Sequence, residues 1–352
     1  MTHPGFFDIA ERTAKLTQMG DPLVGLNSQI NWEAFRADLN RVHQKDRKSN
    51  AGAKPIDVVL MFKLLVLQLH NLSDDRIEYQ VRDRLSFMRF LGLQLEDRVP
   101  DAKTVWLFRE RLKELNLVEG LLTRFHEQLA AQGYIARAGQ MIDATFVEVP
   151  RQRNGREENA RIKAGETPAD WQAESAKPML RQKDMDARWT KKNKENHYGY
   201  KNHINADQDH KLVQSYQVTD AAVHDSQVFE VLLDMAEGEG GKKRTVYADS
   251  AYRSKEKKEQ LAAANMPSQI CEKGVRNHPL TEEQKASNKE KSQVRSRVEH
   301  VFGAQAQMGG HVVLTIGLLR AQVKIGMMNL VYNMVRLVQL LKRDRIIVPC
   351  MA

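Results

Sequence analysis

Three acidic residues stand where carboxylates are costly. Asp143 lies inside the apolar, β-branched run MIDATFVEV, Asp249 ends the short run Val246-Tyr247-Ala248 in VYADSAYRSKE, and Glu299 sits in QVRSRVEHVFGAQ. A buried carboxylate is expensive unless it is paired or binds a metal. Two strands that each carry such an acid, laid side by side, double the cost, and a divalent cation removes it. Magnesium takes hard oxygen ligands, often one or two carboxylates together with substrate phosphate. In the third stretch Val294, Val298 and Val301 mark a buried stripe, and Glu299 lies one position round from it. Arg295 is one turn earlier on the Glu299 face, and Phe302 and the small Gly303 follow one turn later. Two metal ions held by three carboxylates and bridged by a scissile phosphate would activate a water or a 3′-hydroxyl and stabilise the leaving oxygen.

Each acid also has a plainer role taken singly. Asp249 would cap the helix after it, Glu299 would pair with Arg295, and Asp143 would mark a β-bulge or accept a buried hydrogen bond. Their coincidence in one basic chain favours chemistry. The 352 residues carry 54 Lys and Arg against 45 Asp and Glu, a formal net charge of +9. That surplus favours a polyanionic partner, though charge alone does not separate DNA from RNA or an acidic membrane. Cys271 and Cys350 are far apart and in no CxxC pattern, so neither a disulfide framework nor a zinc module is expected. The start has no secretory signal pattern, and a cytoplasmic location is expected. The apolar tract 58–69 is too short for a membrane span and contains Lys63, while 311–341 carries Arg320, Lys324 and Arg336. Both read as core helices, and a membrane role is disfavoured.

The elements that must position the acids follow from periodicity. Four helices are predicted before residue 132: 56–72, 73–93 with Ser73 as N-cap, a third entered through Asp101, and a fourth closed by Gly133. Arg82, Arg84, Arg89, Arg109 and Arg111 on them suit either a DNA-binding module or a solvated basic face. The period then changes. Strands are predicted at 139–149, at 198–221 as two strands around a polar turn at 206–210, at 244–249 and at 268–272, with helices over 225–236 and 255–265 and a glycine-rich turn at 237–241. This order implies an α/β domain with a mixed sheet flanked by helices, preceded by an all-helical domain. The boundary falls at 132/133, with the second domain reaching about 345. Two polar stretches, 151–196 and 274–293, show no periodicity and read as loops. The first is basic and long enough to be functional.

The stretches MIDATFVEVPRQRN, GYKNHI, TDAAVHDS, YADSAYRS and RSRVEHVFGAQ together resemble bacterial insertion-sequence transposases of the DDE class, specifically the family numbered five. They run in the family's order over roughly 140–310, and the helical region before them resembles the family's N-terminal domain. The combination is specific where any one motif is weak. The resemblance implies an RNase H-like fold, a catalytic triad of Asp143, Asp249 and Glu299, and two Mg²⁺ ions, with Mn²⁺ able to substitute. It also implies cleavage of double-stranded DNA at terminal inverted repeats and joining of the freed 3′ ends to target DNA, by a homodimer or higher assembly at the bacterial nucleoid. One departure stands out. Related transposases often surround the glutamate with Tyr, Arg and Lys; here Arg295 is in place, but Ser292 and Ala306 occupy the Tyr and Lys positions.

Several other residues are candidates for DNA contact. Lys201 and His203 alternate along a strand and share a face, facing either phosphate or solvent. Arg253 follows the second acid and suits a phosphate contact, whereas Tyr252 suits the core. His224-Asp225-Ser226 most simply starts a helix. Trp171 and Trp189, among Arg181, Lys183, Arg188, Lys191, Lys192 and Lys194, suit either base stacking or, more commonly, anchoring of the loop. Two other functions fit the same residues: a nuclease on this fold that cleaves without strand transfer, and a DNA-binding regulator without activity.

Overall fold

The computed structural model describes residues 8–44, 55–69, 72–134, 136–152, 154–192, 194–274 and 278–347. The chain divides into two compact units, one formed by Met1–Gly133 with Leu330–Ala352 and the other by Tyr134–Asn329. Cys350 and part of the predicted 56–72 helix, residues 70 and 71, lie outside the described residues.

The first unit is helical, and its caps explain where the helices begin. Asp57 accepts the amide protons of Val59 and Leu60 to open the helix Val58–Gln68, which is buried on nearly every side. Asp101 does the same for Ala102–Glu114 through Thr104. The helix Leu117–Ala131 ends before Gly133, whose φ of 84° suits glycine. The predicted helix over 73–93 is two helices, Asp74–Asp83 and Leu85–Leu91, because Arg84 adopts an extended conformation between them. Trp32, Phe35, Phe62 and Phe90 form the aromatic heart of the core. Four of the five arginines noted above face carboxylates within the unit: Arg82 with Glu78, Arg89 with Asp21, Arg109 with Asp74 and Arg111 with Glu114.

The second unit is built on a six-stranded mixed sheet among the described residues. Its strands are β1 (Gly139–Glu148), β2 (Arg188–Lys192), β3 (Glu195–Asp207), β4 (Val213–Asp220), β5 (Thr245–Ala248) and β6 (Ser268–Ile270). The order is β2-β3-β1-β5-β6, with β4 also paired to β3. β1 runs antiparallel to β3 and parallel to β5, so it is covered on both edges. One face packs Ile142, Val246 and Ala248 against Phe229, Leu232, Tyr252 and Leu261. Side chains alternate along a strand, so Asp143 and Thr145 turn to the opposite face. The helices Glu282–Arg295 and Glu299–Gln307 are connected there by the turn Ser296–Val298. Of the predicted stripe, Val298 and Val301 are fully buried, whereas Val294 is only half-buried.

Three elements of the second unit differ from expectation. The basic stretch 151–196 is not a structureless loop. It contains the helix Arg156–Lys163, short 3-10 turns, the helix Lys177–Leu180 and strand β2. It folds around Trp171, which is 3% exposed and donates its indole N–H to Glu158 at 3.0 Å. The second aperiodic stretch contains most of the helix Glu282–Arg295. A reciprocal capping box between Thr281 and Gln284 opens it, but no residue on it is buried, so it has no apolar stripe to read. The helix predicted at 225–236 shrinks to a 3-10 turn at Asp225–Gln227 and the short helix Phe229–Leu232, because Leu233 turns extended.

Gly199 in β3 carries a positive φ of 148°, and a β-carbon there would collide with the Val147 carbonyl of β1. Gly199→Ala is therefore expected to cost roughly 2 kcal/mol or more, from strain and a displaced ladder. A lowered urea midpoint at unchanged slope would show it. An unchanged midpoint would mean that the two strands separate freely at this point.

Candidate active site

Parallel pairing of β1 and β5 places Ile142 opposite Ala248, so the next residues, Asp143 and Asp249, emerge together where β5 ends. Asp143 is 7% exposed. Its Oδ1 accepts the Ala144 N–H at 2.9 Å, and its Oδ2 accepts a hydrogen bond from Arg295 Nη1 at 2.5 Å. Asp249 caps the 3-10 turn Ser250–Tyr252 by accepting the Ala251 N–H at 3.0 Å. The capping role expected for it alone is thus real. Glu299 opens the helix Glu299–Gln307 with its side chain 62% exposed, and its Oε1 lies 3.9 Å from the same Arg295 nitrogen.

A buried polar triangle fixes the glutamate's helix against the sheet. Asn202 of β3 donates to Asn329 Oδ1 at 3.0 Å and Gln305 Oε1 at 3.3 Å, and Gln305 donates to Asn329 at 2.7 Å. Asn202 pairs with Thr145, which puts it on the Asp143 face. All three amides are buried, so this closed network resists sliding of the helix.

The two aspartates are tuned in opposite directions. Burial pushes the Asp143 carboxyl up, with Glu299 adding to the rise, against the lowering pull of Arg295 and the Ala144 amide. Burial also acts to raise Asp249, but the Ala251 amide, the Ser250 hydroxyl and the charges of Arg295 and Lys192 outweigh it and hold it below the usual range. Arg295 feels burial against it and all three acids in its favour, Asp143 first, and its pKa is raised. One guanidinium therefore serves as counter-ion to the whole set.

Among the described residues, no three His, Cys, Asp or Glu side chains are gathered closely enough to hold a metal ion by themselves. The donor chemistry nevertheless fits a hard divalent cation. One carboxylate on β1, one just past the end of the neighbouring β5 and a third on an anchored helix supply only oxygen, and Arg295 is their counter-charge in the metal-free protein.

The other expected site residues separate into two groups. Lys192 lies with the acids: its charge acts on Asp143 and Asp249, and its Nζ sits 3.9 Å from Asp225. Lys191 is exposed beside it on β2. The remainder are engaged in structural contacts. Lys201 is buried and donates to the Val223 carbonyl at 2.7 Å and to Asp225 Oδ1 at 2.8 Å. His203 is fully buried against Thr219 at 2.9 Å, and burial pushes its imidazole down to about 4. These two pair with Phe146 and Ala144 and so face away from Asp143. Neither alternative considered for them, phosphate or solvent, describes this position. Arg188 donates to the carbonyls of Met185, Ala187 and Ile162, and Arg253 forms an ion pair with Glu272. Trp189 is 42% exposed, with the Arg151 guanidinium 5.6 Å from its ring centroid.

Two residues near the acids gain weight from the structure. Asp225 is buried between Lys201 and Lys192, while His224 takes the capping role on the following turn. Tyr252 is 1% exposed, and its hydroxyl has no hydrogen-bond partner among the described residues. Burial first, then the charges of Asp143, Asp225 and Asp249, push its phenol up. The signals HDS and ADSAY were visible but read equally well as a cap and a core residue.

Among the described residues, no helix is long and apolar enough to cross a membrane. Comparison with known proteins yields a match to the transposase DDE domain over residues 136–334 and to a transposase domain (DUF772) over residues 11–111. A distant structural likeness is to the piggyBac transposase synaptic complex with hairpin DNA solved by cryo-EM. It is 14% identical, covers 89% of this chain and 73% of that one, and has a TM-score of 0.43, too low to bear on fold or function. The first match spans all three acids and more than half of the chain, so the protein belongs to the transposase DDE-domain family and is a transposase.

Proposed function

We propose that this transposase, of the insertion-sequence family numbered five, cuts DNA at terminal inverted repeats and joins the 3′ ends to target DNA by metal-dependent phosphoryl transfer. The observation that carries the proposal is the convergence of Asp143, Asp249 and Glu299 on one guanidinium at the end of β5. In this reading the sheet is RNase H-like. Residues 1–132 form a DNA-end-binding domain, and 133–345 the catalytic one.

Asp143 and Asp249 would hold one Mg²⁺ between them and Glu299 a second, with Mn²⁺ as a substitute. When bound, the ions activate the attacking oxygen and neutralise the charge on the leaving one. The chain's own contribution is positioning. The Ala251 amide holds Asp249 in its cap geometry, and the Ala144 amide fixes Asp143. The amide triangle holds Glu299's helix to the sheet. Lys191, Lys192 and Arg295 supply phosphate contacts, which add affinity and salt dependence without reading bases. Arg188, Lys201, His203 and Arg253 serve the site through the elements they brace. Two DNA ends are handled in concert by a homodimer or higher assembly at the nucleoid.

The decisive test is strand transfer. A labelled duplex carrying the source element's own terminus, with its 3′ end already exposed, is incubated with Mg²⁺ and supercoiled plasmid. Label covalently joined to plasmid is the expected product. Exposed 3′ ends that are never joined, from a protein that cuts an uncut duplex correctly at the same terminus, would instead identify a nuclease.

A further inference from the structure

Arg295 deserves a second role because of where its charge sits. Its Nη1 lies 2.5 Å from Asp143 Oδ2 and 3.9 Å from Glu299 Oε1, and its field also reaches Asp249. The contact to Asp143 is shielded, with side-chain exposures of 23% and 10%. A guanidinium and a divalent cation both require the same carboxylate oxygens, and they repel each other at such separations. Arg295 is also the last residue of the helix Glu282–Arg295, next to the turn Ser296–Val298 that leads to Glu299. Side-chain rotation at this helix end moves the charge without disturbing the amide triangle that holds the following helix.

We propose that Arg295 is a place-holding cation: it occupies the acid cluster in the metal-free protein and must withdraw from Asp143 for a divalent ion to enter. This rests on the reading of the three acids as metal ligands. Before loading, Arg295 keeps the buried Asp143 compensated and oriented. After loading, its freed guanidinium stands one helical turn from Glu299, available to a DNA phosphate. Metal entry and phosphate contact are thereby linked through one side chain, and Arg295 acts on the reaction as a positioning residue.

The test is Mn²⁺ binding by the full-length protein without DNA, followed by titration calorimetry and by the metal-induced rise in Tm. Arg295→Gln keeps the side chain polar but removes the competing charge. It is expected to bind Mn²⁺ about tenfold tighter or better than wild type, with a lower Tm in chelator and a larger rise on adding Mn²⁺. Arg295→Lys retains a charge with one contact fewer and falls between the two. A structural role alone would lower Tm in every condition and leave affinity unchanged. Asp143→Asn separates the two readings. If it weakens Mn²⁺ binding while Arg295→Gln does not tighten it, the place-holder is wrong and the acid ligands stand. If Asp143→Asn binds as wild type does, both readings fall. Should Arg295→Gln not fold, Arg295→Lys decides: tighter binding supports the proposal and unchanged binding overturns it.

Discussion

Asp143→Asn is expected to reduce DNA cleavage by roughly a hundred- to a thousandfold while leaving the fold intact, the size of effect that follows loss of a single charge-stabilising group in an active site. Asparagine preserves the shape and the acceptor for the Ala144 amide but removes the charge facing Arg295. Stability should respond in the opposite sense to a simple lost ion pair. Burial raises the Asp143 pKa, so across the window between the ordinary carboxylate value and its raised value the folded state binds more protons than the unfolded state. The stability gained from that protonation is full below the unfolded value and is lost as pH rises through the folded one. The wild type should therefore gain on Asp143→Asn as pH is lowered through this window and lose ground as pH rises. Urea unfolding of both proteins at a series of pH values measures this difference. A pH-independent difference would mean that Asp143 titrates alike in both states. A variant that folds and cuts DNA as wild type does would remove Asp143 from the catalytic set.

Lys201→Ala is expected to destabilise the protein by about 3–5 kcal/mol, the usual result of removing one partner of a buried ion pair. Lys201 and Asp225 have side-chain exposures of 9% and 11% at a separation of 2.8 Å. Lys192, 3.9 Å from the other Asp225 oxygen and largely in solvent, offers only partial compensation. Replacing both groups, as Lys201→Met with Asp225→Asn, should recover much of the loss because no charge is left buried alone. Chemical denaturation of the single and double variants gives the comparison. If Lys201 instead held a DNA phosphate, its removal would leave stability unchanged and flatten the salt dependence of binding by about one ion.

Much of the architecture was legible because it depends on short-range rules. The cap at Asp101 and the terminator Gly133 mark helices of the first unit, and apolar runs mark β1, β3, β4, β5 and β6, whereas the cap at Asp57 was not read and Ser73 caps without a side-chain hydrogen bond. An acid in each of two apolar runs was readable as a shared problem, and the parallel register of β1 and β5 is what turns it into one site. Facing was less accessible. Lys201 and His203 share a face in any strand, but which face depends on pairing with Ala144 and Phe146, a contact between distant parts of the chain. The helix Glu282–Arg295 escaped because its signal is a capping box without an apolar stripe. The insertion escaped because its order comes from one buried indole and its Glu158 acceptor among polar residues. Arg295 was visible as a helix neighbour of Glu299, yet its shortest contact is with Asp143, far away in sequence.

The central claim is that three carboxylates at the end of β5 cut DNA with the help of divalent metal. The most direct measurement is cleavage of a labelled duplex bearing the source element's own terminus, with Mg²⁺, by wild type and by Asp249→Asn, alongside binding and unfolding of each. Asparagine keeps an oxygen for the Ala251 amide, so the turn Ser250–Tyr252 should persist. The predicted result is cutting at the element boundary by wild type, and equal binding and folding but no cutting by the variant. Equal cutting by both proteins would contradict the account and leave Asp249 as a cap.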